Sequence, residues 1–337
     1  MTSGGPRPRA ARNGLVLLAA AAVLALAAAV SLVAGSKVTS PAEVWQALTG
    51  MGDAHLAMVV DSRVPRTLVG AVVGAALAMA GVIVQGITRN PLGDPGLIGV
   101  TVGASASVVT ATAVLGVAAG QATVWFAIPG ALVTVIVVML VAGRSRGGSM
   151  VPLVLAGAVV SAVLGTYIQA MILTQPAVFD SFRFWVIGSL AGADLSTVID
   201  VLPAIGTGLV LALLLASGLN GLALGDDVAA SLGVRVPLVR GVGILAATLL
   251  CAGATAAVGP IAFVGLAVPH IARWMVGVDH RWLLPASMLA GAALLIAADS
   301  VGRVIARPEE LMVGIVTAFA GAPFLLAAVR SGRAVRA

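Results

Sequence analysis

Few side chains in this sequence have the type and spacing for covalent chemistry. The adjacent carboxylates Asp226 and Asp227 could hold Mg²⁺ and a diphosphate, but such a site needs a second acidic cluster, and the apolar segments contain none. The pair reads instead as a solvated loop motif. His55, His270 and His280 are scattered, and none has a second ligand-type side chain three or four residues away on one helix. His270, after Pro269, reads as a satisfied helix-end histidine. A phosphate-cradling loop needs G-x-x-x-x-G-K-S/T, yet the only lysine, Lys37, stands between Ser36 and Val38. Any nucleotide hydrolysis therefore belongs to a separate polypeptide. The single cysteine, Cys251, forms no disulfide framework and reads as a small buried hydrophobe. No catalytic residue, metal site or cofactor is assigned.

What must position the remaining polar residues is a bundle solvated by lipid. The 337 residues are 60% hydrophobic and 9% charged, with mean hydropathy +1.11. A helix rises about 1.5 Å per residue, so roughly 20 apolar residues cross a bilayer core. Ten stretches qualify: 14–34, 64–86, 97–117, 123–142, 151–173, 198–217, 237–257, 260–277, 283–305 and 310–329. The fold class is thus an all-α polytopic membrane protein of ten transmembrane helices. Residues 1–13 and 330–337 are tails around a 14–329 domain, with 218–236 forming short helices outside the membrane. Gly70 and Gly74 make one small-residue face, Gly99 and Gly103 another, both suited to close helix packing.

An even number of spans puts both termini on one side. Of the 19 basic residues, 13 then share a side with the termini and six lie opposite. By the positive-inside rule both ends are cytoplasmic, in an inner (plasma) membrane protein. The net charge of +6 reflects this topology rather than a nucleic-acid partner. Arg7, Arg9 and Arg12 before an Ala-rich stretch resemble a cleavable signal peptide, but removal would leave nine spans and spoil the charge pattern, so the first span is expected to stay. The middles of spans two to eight carry no ionisable group, although ion-coupled carriers generally place such groups there. Asp299 and Arg303, one turn apart, read as a local ion pair.

Four constellations remain. RVPRTLVG, Arg63 to Gly70, enters the second span from outside; Pro65 suits a helix start, and two arginines on the outer face run against the charge bias. QGITRNPLGDPGLIG, Gln85 to Gly99, makes a tight inner turn, because proline blocks helix continuation and restricts the residue before it. LNGLALGDDVAASLGVRVPLVR, Leu219 to Arg240, reads as a short protruding helix: Asp226 and Asp227 suit its N-terminal dipole and Gly233 its stop. GPIAFVGLAVPHIARWMVGVDHRWLLP, Gly259 to Pro285, breaks the chain at Gly259-Pro260, and its Pro269 kinks or ends the eighth span.

At these residues the chain resembles the permease subunit of bacterial ABC importers for iron–siderophore chelates, haem and cobalamin, with a type II importer fold. The resemblance covers about residues 60–330. Its motifs run in order: RVPR, NPLGDPGLIG, FWVIGSL (Phe184 to Leu190), LGDDVAASLGV, IAFVGLAVPHIAR, DHRWLLP, and ADSVGR on to GIVTAFAGAPF (Gly314 to Phe324). It implies a homodimer, or a heterodimer of two similar permeases, with the pathway on the two-fold axis. Two cytoplasmic ATPase subunits would dock on the short inner helices, at positions matching Gly225, Asp226, Asp227, Ala229, Leu232 and Gly233. A substrate-binding protein outside would set carboxylates against Arg63, Arg66 and Arg303. The NPL turn would put Asn90 and Leu92 at an inner gate. Small residues of the fifth span such as Ser161 and Thr166 would line the pathway. An iron–siderophore chelate is the expected cargo, with haem or cobalamin as alternatives; an ion-coupled secondary carrier and a membrane enzyme are the competing classes.

Overall fold

The computed structural model describes residues 7–35, 39–116, 123–143 and 150–330. Lys37, Arg144, Arg146, Arg333 and Arg336, counted in the charge asymmetry, lie outside the described residues, as do positions 1–6 and 331–337 of the two tails. All regular structure among the described residues is helical. The order is α1 (Arg7–Val33), α2 (Pro41–Leu48), α3 (Ala54–Thr88), a single 3₁₀ turn (Pro95–Ile98), α4 (Val100–Leu115), α5 (Thr123–Ala142), α6 (Val151–Thr174), α7 (Pro176–Trp185) and α8 (Leu195–Leu214). Then follow α9 (Ala216–Leu222), α10 (Asp226–Ser231), α11 (Val236–Val258), α12 (Val264–Val276), α13 (His280–Ile305) and α14 (Val313–Arg330).

Every stretch read as a span contains a helix, and among the described residues seven helices are long and apolar enough to cross a bilayer: α1, α3, α5, α6, α8, α11 and α13. Two others, α4 and α12, are short for a local reason. α4 has 16 residues because the chain spends Pro95–Ile98 on a 3₁₀ turn before it. α12 has 13 because residues 259–263 stay non-helical, with Phe263 at φ 70°. α14 runs over 18 residues, Val313–Arg330, in an apolar sequence. α1 already starts at Arg7, inside the segment read as a tail.

Two further readings are corrected. Pro65 does not start the second span: α3 begins eleven residues earlier, where the side chain of Asp53 accepts the Leu56 N–H at 2.6 Å, and Pro65 sits inside the helix. Strong N-capping outweighs the one hydrogen bond that an internal proline removes. At 35 residues, about 52 Å long, α3 projects well beyond a 30 Å core. Gly99 is not part of a helix face with Gly103; it adopts φ 83° as the turn residue that starts α4.

α3 is the axis of the bundle. α11, α12 and α13 pack against it, and its residues from Val69 to Val84 are almost all buried. Lipid is as apolar as leucine, so this packing rests on close contact rather than on escape from water. A Cβ built on Gly74 would overlap the carbonyl of Gly291 on α13, and one on Gly81 the carbonyl of Gly265 on α12. α1 and α6, by contrast, leave most of their apolar side chains facing outward. α1 is nevertheless tied in at both ends. Asn13 Nδ2 donates to the Val276 carbonyl at 3.3 Å, and the hydroxyls of Ser31 and Thr67 share a 2.8 Å hydrogen bond.

Candidate functional site

Polar side chains gather at the two ends of the bundle. At the end where α1 terminates, three arginines from other elements converge on its last carbonyls. These oxygens have no intrahelical partner and carry the negative end of the helix dipole. Arg63 Nη1 donates to Leu32 O (2.7 Å), Val33 O (3.1 Å) and Thr39 Oγ1 (2.8 Å). Arg303 Nη1 donates to Ser31 O (3.0 Å) and Ala34 O (2.9 Å), and Nη2 to Ser31 Oγ (2.7 Å). Arg307 Nε donates to Gly35 O at 2.9 Å. Arg63 and Arg303 are both buried.

Arg66 is held differently. Its Nε and Nη2 grip Asp299 at 2.8–3.2 Å, and Nη1 reaches Glu310 at 2.7 Å. Asp299 also pairs with Arg303 at 3.1 Å, so the local i, i+4 pair read from sequence is present, inside a larger network. Arg63, Arg66, Arg303, Glu310, Asp61 and Asp194 line one cavity of about 410 Å³. Hydrogen bonds from the Ser196 hydroxyl and from the Thr197 amide and hydroxyl hold the exposed Asp194 carboxylate below its ordinary pKa.

At the opposite end, α3 stops at Arg89, whose φ of 51° reverses the chain. Asn90 Oδ1 then accepts the Leu92 N–H at 2.9 Å, closing an Asx turn around Pro91. Asn90 and Leu92 are both exposed. The chain next folds back into the bundle. Asp94 Oδ1 accepts the Gly96 N–H at 2.7 Å, and the other oxygen lies 3.6 Å from a Cβ built on Gly265. Gln85 Nε2 donates to Gly265 O at 3.3 Å, and Gln85 accepts a hydrogen bond from Arg273.

Beside this turn stand α9 and α10. α9 anchors through fully buried Leu219 and Leu222. Its Asn220 donates to Asp279 Oδ1 at 2.6 Å and accepts the His280 N–H at 2.8 Å, stapling it to the start of α13. Gly225 (φ 101°) and Gly233 (φ 82°) bracket α10 with backbone that residues bearing Cβ rarely adopt. Ala229 is fully buried and seats the helix, whereas Leu224 (60% exposed), Val228 and Leu232 (65%) stand outward with Asp227. Asp226 turns back toward the bundle, at 2.9 Å from Arg240 and 3.3 Å from Arg89. Midway along α6, Ser161 and Thr166 lie on or beside its outward stripe, with Leu155, Val159, Val163 and Leu173 exposed.

The structure thus brings Arg63, Arg66 and Arg303 together, and separately sets the 90–92 turn beside α10. Sequence reasoning missed Glu310, Arg307, Arg89 and Arg240 as partners. An acid opposite a cluster of outer arginines was the one available signal. It gave no pairing, because the partners lie up to 244 residues apart.

Comparisons with known proteins bear on the family and the fold. Residues 23–331 match the model of the FecCD transport family. The ferric enterobactin transport system permease protein FepD of Escherichia coli (strain K12) is 46% identical over 320 residues, covering 94% of each chain. The Bacillus subtilis (strain 168) relative named "Probable siderophore transport system permease protein YfiZ" is 36% identical, covering 96% of this chain and 98% of its own. Among solved structures, one described as an inward-facing metal-chelate type ABC transporter superposes with TM-score 0.82 at 30% identity, covering 94% of this chain and 99% of that one. With a family match across nearly the whole length, and with relatives that share its helices from end to end, the chain belongs to the FecCD transport family.

Proposed function

We propose that this chain is the membrane subunit of an ATP-driven importer that carries a ferric siderophore chelate across the cytoplasmic membrane. The observation that carries the reading is the knob at the α10 end. Leu224, Val228 and Leu232 are exposed apolar side chains on a short helix outside the spanning segments, held rigidly by buried Ala229, Leu219 and Leu222. An apolar, anchored projection of this kind fits a groove on a second protein. Two cytoplasmic ATPase subunits are that partner. ATP binding would draw them together and move residues 225–234, tilting the helices so that the pathway opens alternately outward and inward past Asn90 and Leu92.

A second copy, or a similar permease, would cover the outward stripe of α6, whose Ser161 and Thr166 would face the pathway. The binding protein would dock over the α1 C-terminal end. There its carboxylates would compete with Glu310, the more exposed of the two acids that hold Arg66 (side chain 31% exposed against 3% for Asp299). This puts both termini in the cytoplasm, as the arginine asymmetry favours. The similarity to a ferric enterobactin permease supports a siderophore as cargo.

The test is uptake into proteoliposomes holding this chain with its ATPase and binding protein, using labelled ferric siderophores, haem and cobalamin. ATP-dependent uptake of a ferric siderophore is expected. Uptake of haem or cobalamin alone would move the cargo within the family, and uphill uptake on an ion gradient without the ATPase would overturn the reading.

A further inference from the structure

The residue beside the exposed Asp227 has a different task. Asp226 opens α10, yet its carboxylate points away from the knob and lies between two arginines from separate elements. Arg240, in the first turns of α11, donates Nη2 to Oδ1 at 2.9 Å; Arg89 brings Nη2 to the same oxygen at 3.3 Å. Arg240 is the more enclosed of the two, with its side chain 15% exposed against 41% for Arg89. Arg89 ends α3, and its left-handed backbone leads directly into Asn90, whose N–H is bonded back to Gln85 O at 3.2 Å. One carboxylate therefore joins the knob both to the foot of α11 and to the residue from which the 90–92 turn hangs.

We infer that Asp226 is a positioning residue that couples movement of α10 to the Asn90–Leu92 turn through Arg89, with Arg240 as the fixed arm of the joint. The inference rests on the reading of α10 as the ATPase-driven element. A single oxygen held by two cations of unequal enclosure is suited to such a role. The enclosed pair at 2.9 Å acts as a pivot, while the looser one lengthens or tightens as α10 shifts. The turn beyond Arg89 is pinned by a few side-chain and turn hydrogen bonds rather than by a helix ladder, so a pull at residue 89 reaches it with little resistance. Asp227, Leu224 and Leu232 face outward and bear the contact with the partner; Asp226 transmits what that contact does.

The test compares Asp226→Asn, Arg89→Gln and their double variant in the complete transporter with its ATPase and binding protein in proteoliposomes. Asp226→Asn keeps the side chain's length and Arg89→Gln shortens it; both remove the charge and leave an amide able to hydrogen-bond. Three quantities are read: ATPase subunits retained on purification, chelate transported per ATP hydrolysed, and the nucleotide-dependent change in labelling of L92C. Retained ATPase is expected, with transport per ATP falling roughly three- to tenfold, the scale of a partly exposed charged pair. The L92C response should be lost, and the double variant should be no worse than Asp226→Asn, because both residues serve one link. Unchanged transport per ATP in either single variant would overturn the proposal, as would a double variant whose losses multiply. Dissociation of the ATPase would overturn it too, by making Asp226 a docking contact. Should Asp226→Asn fail to fold, Arg89→Gln, whose side chain is the most exposed of the three, carries the same readouts. Wild-type uptake without the ATPase would instead sink the functional reading, and the two failures are distinguished by that control.

Discussion

Replacing Asp299 by asparagine should destabilise the bundle far more than replacing Glu310 by glutamine, although both acids hold Arg66. The Asp299 side chain is 3% exposed and lies between Arg66 (13%) and Arg303 (2%). Removing one member of a buried ion pair typically costs about 3–5 kcal/mol, because the remaining charge is left without a counter-ion in a poorly solvated place. Here the loss is partly offset. Asparagine keeps one acceptor oxygen, Arg66 keeps Glu310 at 2.7 Å, and Arg303 keeps the Ser31 and Ala34 carbonyls and two hydroxyls. The expected cost is therefore roughly 2–3 kcal/mol. Glu310, with its side chain 31% exposed, forms a pair of the solvated kind, worth about 0–1 kcal/mol. Reversible unfolding in mixed micelles, followed by helical signal against detergent composition, measures both. Equal costs for the two variants, or an Asp299→Asn protein within about 0.5 kcal/mol of wild type, would refute the claim that burial rather than distance sets the strength of this network.

Other outcomes follow from the same coordinates. Gly81→Ala would drive a methyl into the Gly265 carbonyl; forcing α3 from α12 should cost about 1–3 kcal/mol or more, seen as a falling yield of monodisperse protein. Leu224→Asp with Leu232→Asp should lower ATPase co-purification at least about tenfold, since apolar contacts at a docking centre carry most of its affinity, while the unfolding midpoint in micelles stays at the wild-type value because both side chains are exposed. Cys251 is 4% exposed and packs beside Thr101; it should resist membrane-impermeant maleimides from both faces and react only after denaturation.

How much of this was legible in the sequence depended on whether the signal was local. The knob was legible because α10 is specified within a dozen residues: glycines at 225 and 233 supply its ends, and paired acids suit its first turn. The Asn90-Pro91 turn was legible for the same reason. The outer arginines could be seen as a group, but what they hold could not. Arg63 and Arg303 cap carbonyls some 30 and 270 residues away, and no local pattern encodes a carbonyl's partner. Pro65 misled because a proline at the first turn and a proline tolerated inside a long membrane helix look alike in one dimension. The neighbour that settles it, Asp53, lies a dozen residues upstream. The short lengths of α4 and α12 were hidden by composition, since their non-helical approaches are as apolar as the helices.

Those two short helices explain where the bundle can move. Gly265, at the start of α12, lies against Leu77 and Gly81 of α3, at least seven residues, or about 10 Å, above the end of that helix. Asp94 lies beside it, so the 89–99 segment does not stay outside but folds back to meet the break before α12. Irregular backbone inside a bilayer survives only if its polar groups find partners within the protein. Here the partners are local turn hydrogen bonds, such as Leu97 N–H to Asp94 O and Gly99 N–H to Gly96 O, together with side chains: the Gln85 amide for the Gly265 carbonyl and Asp94 for the Gly96 amide. A continuous helix such as α11 resists bending, because a kink breaks backbone hydrogen bonds that lipid cannot replace. The junction of two broken segments needs to exchange only a few side-chain and turn hydrogen bonds to take another arrangement. On the proposed reading, passage would be gated at this junction of broken segments, which α10 reaches through the pair of Asp226 with Arg89 at the start of the 89–99 segment.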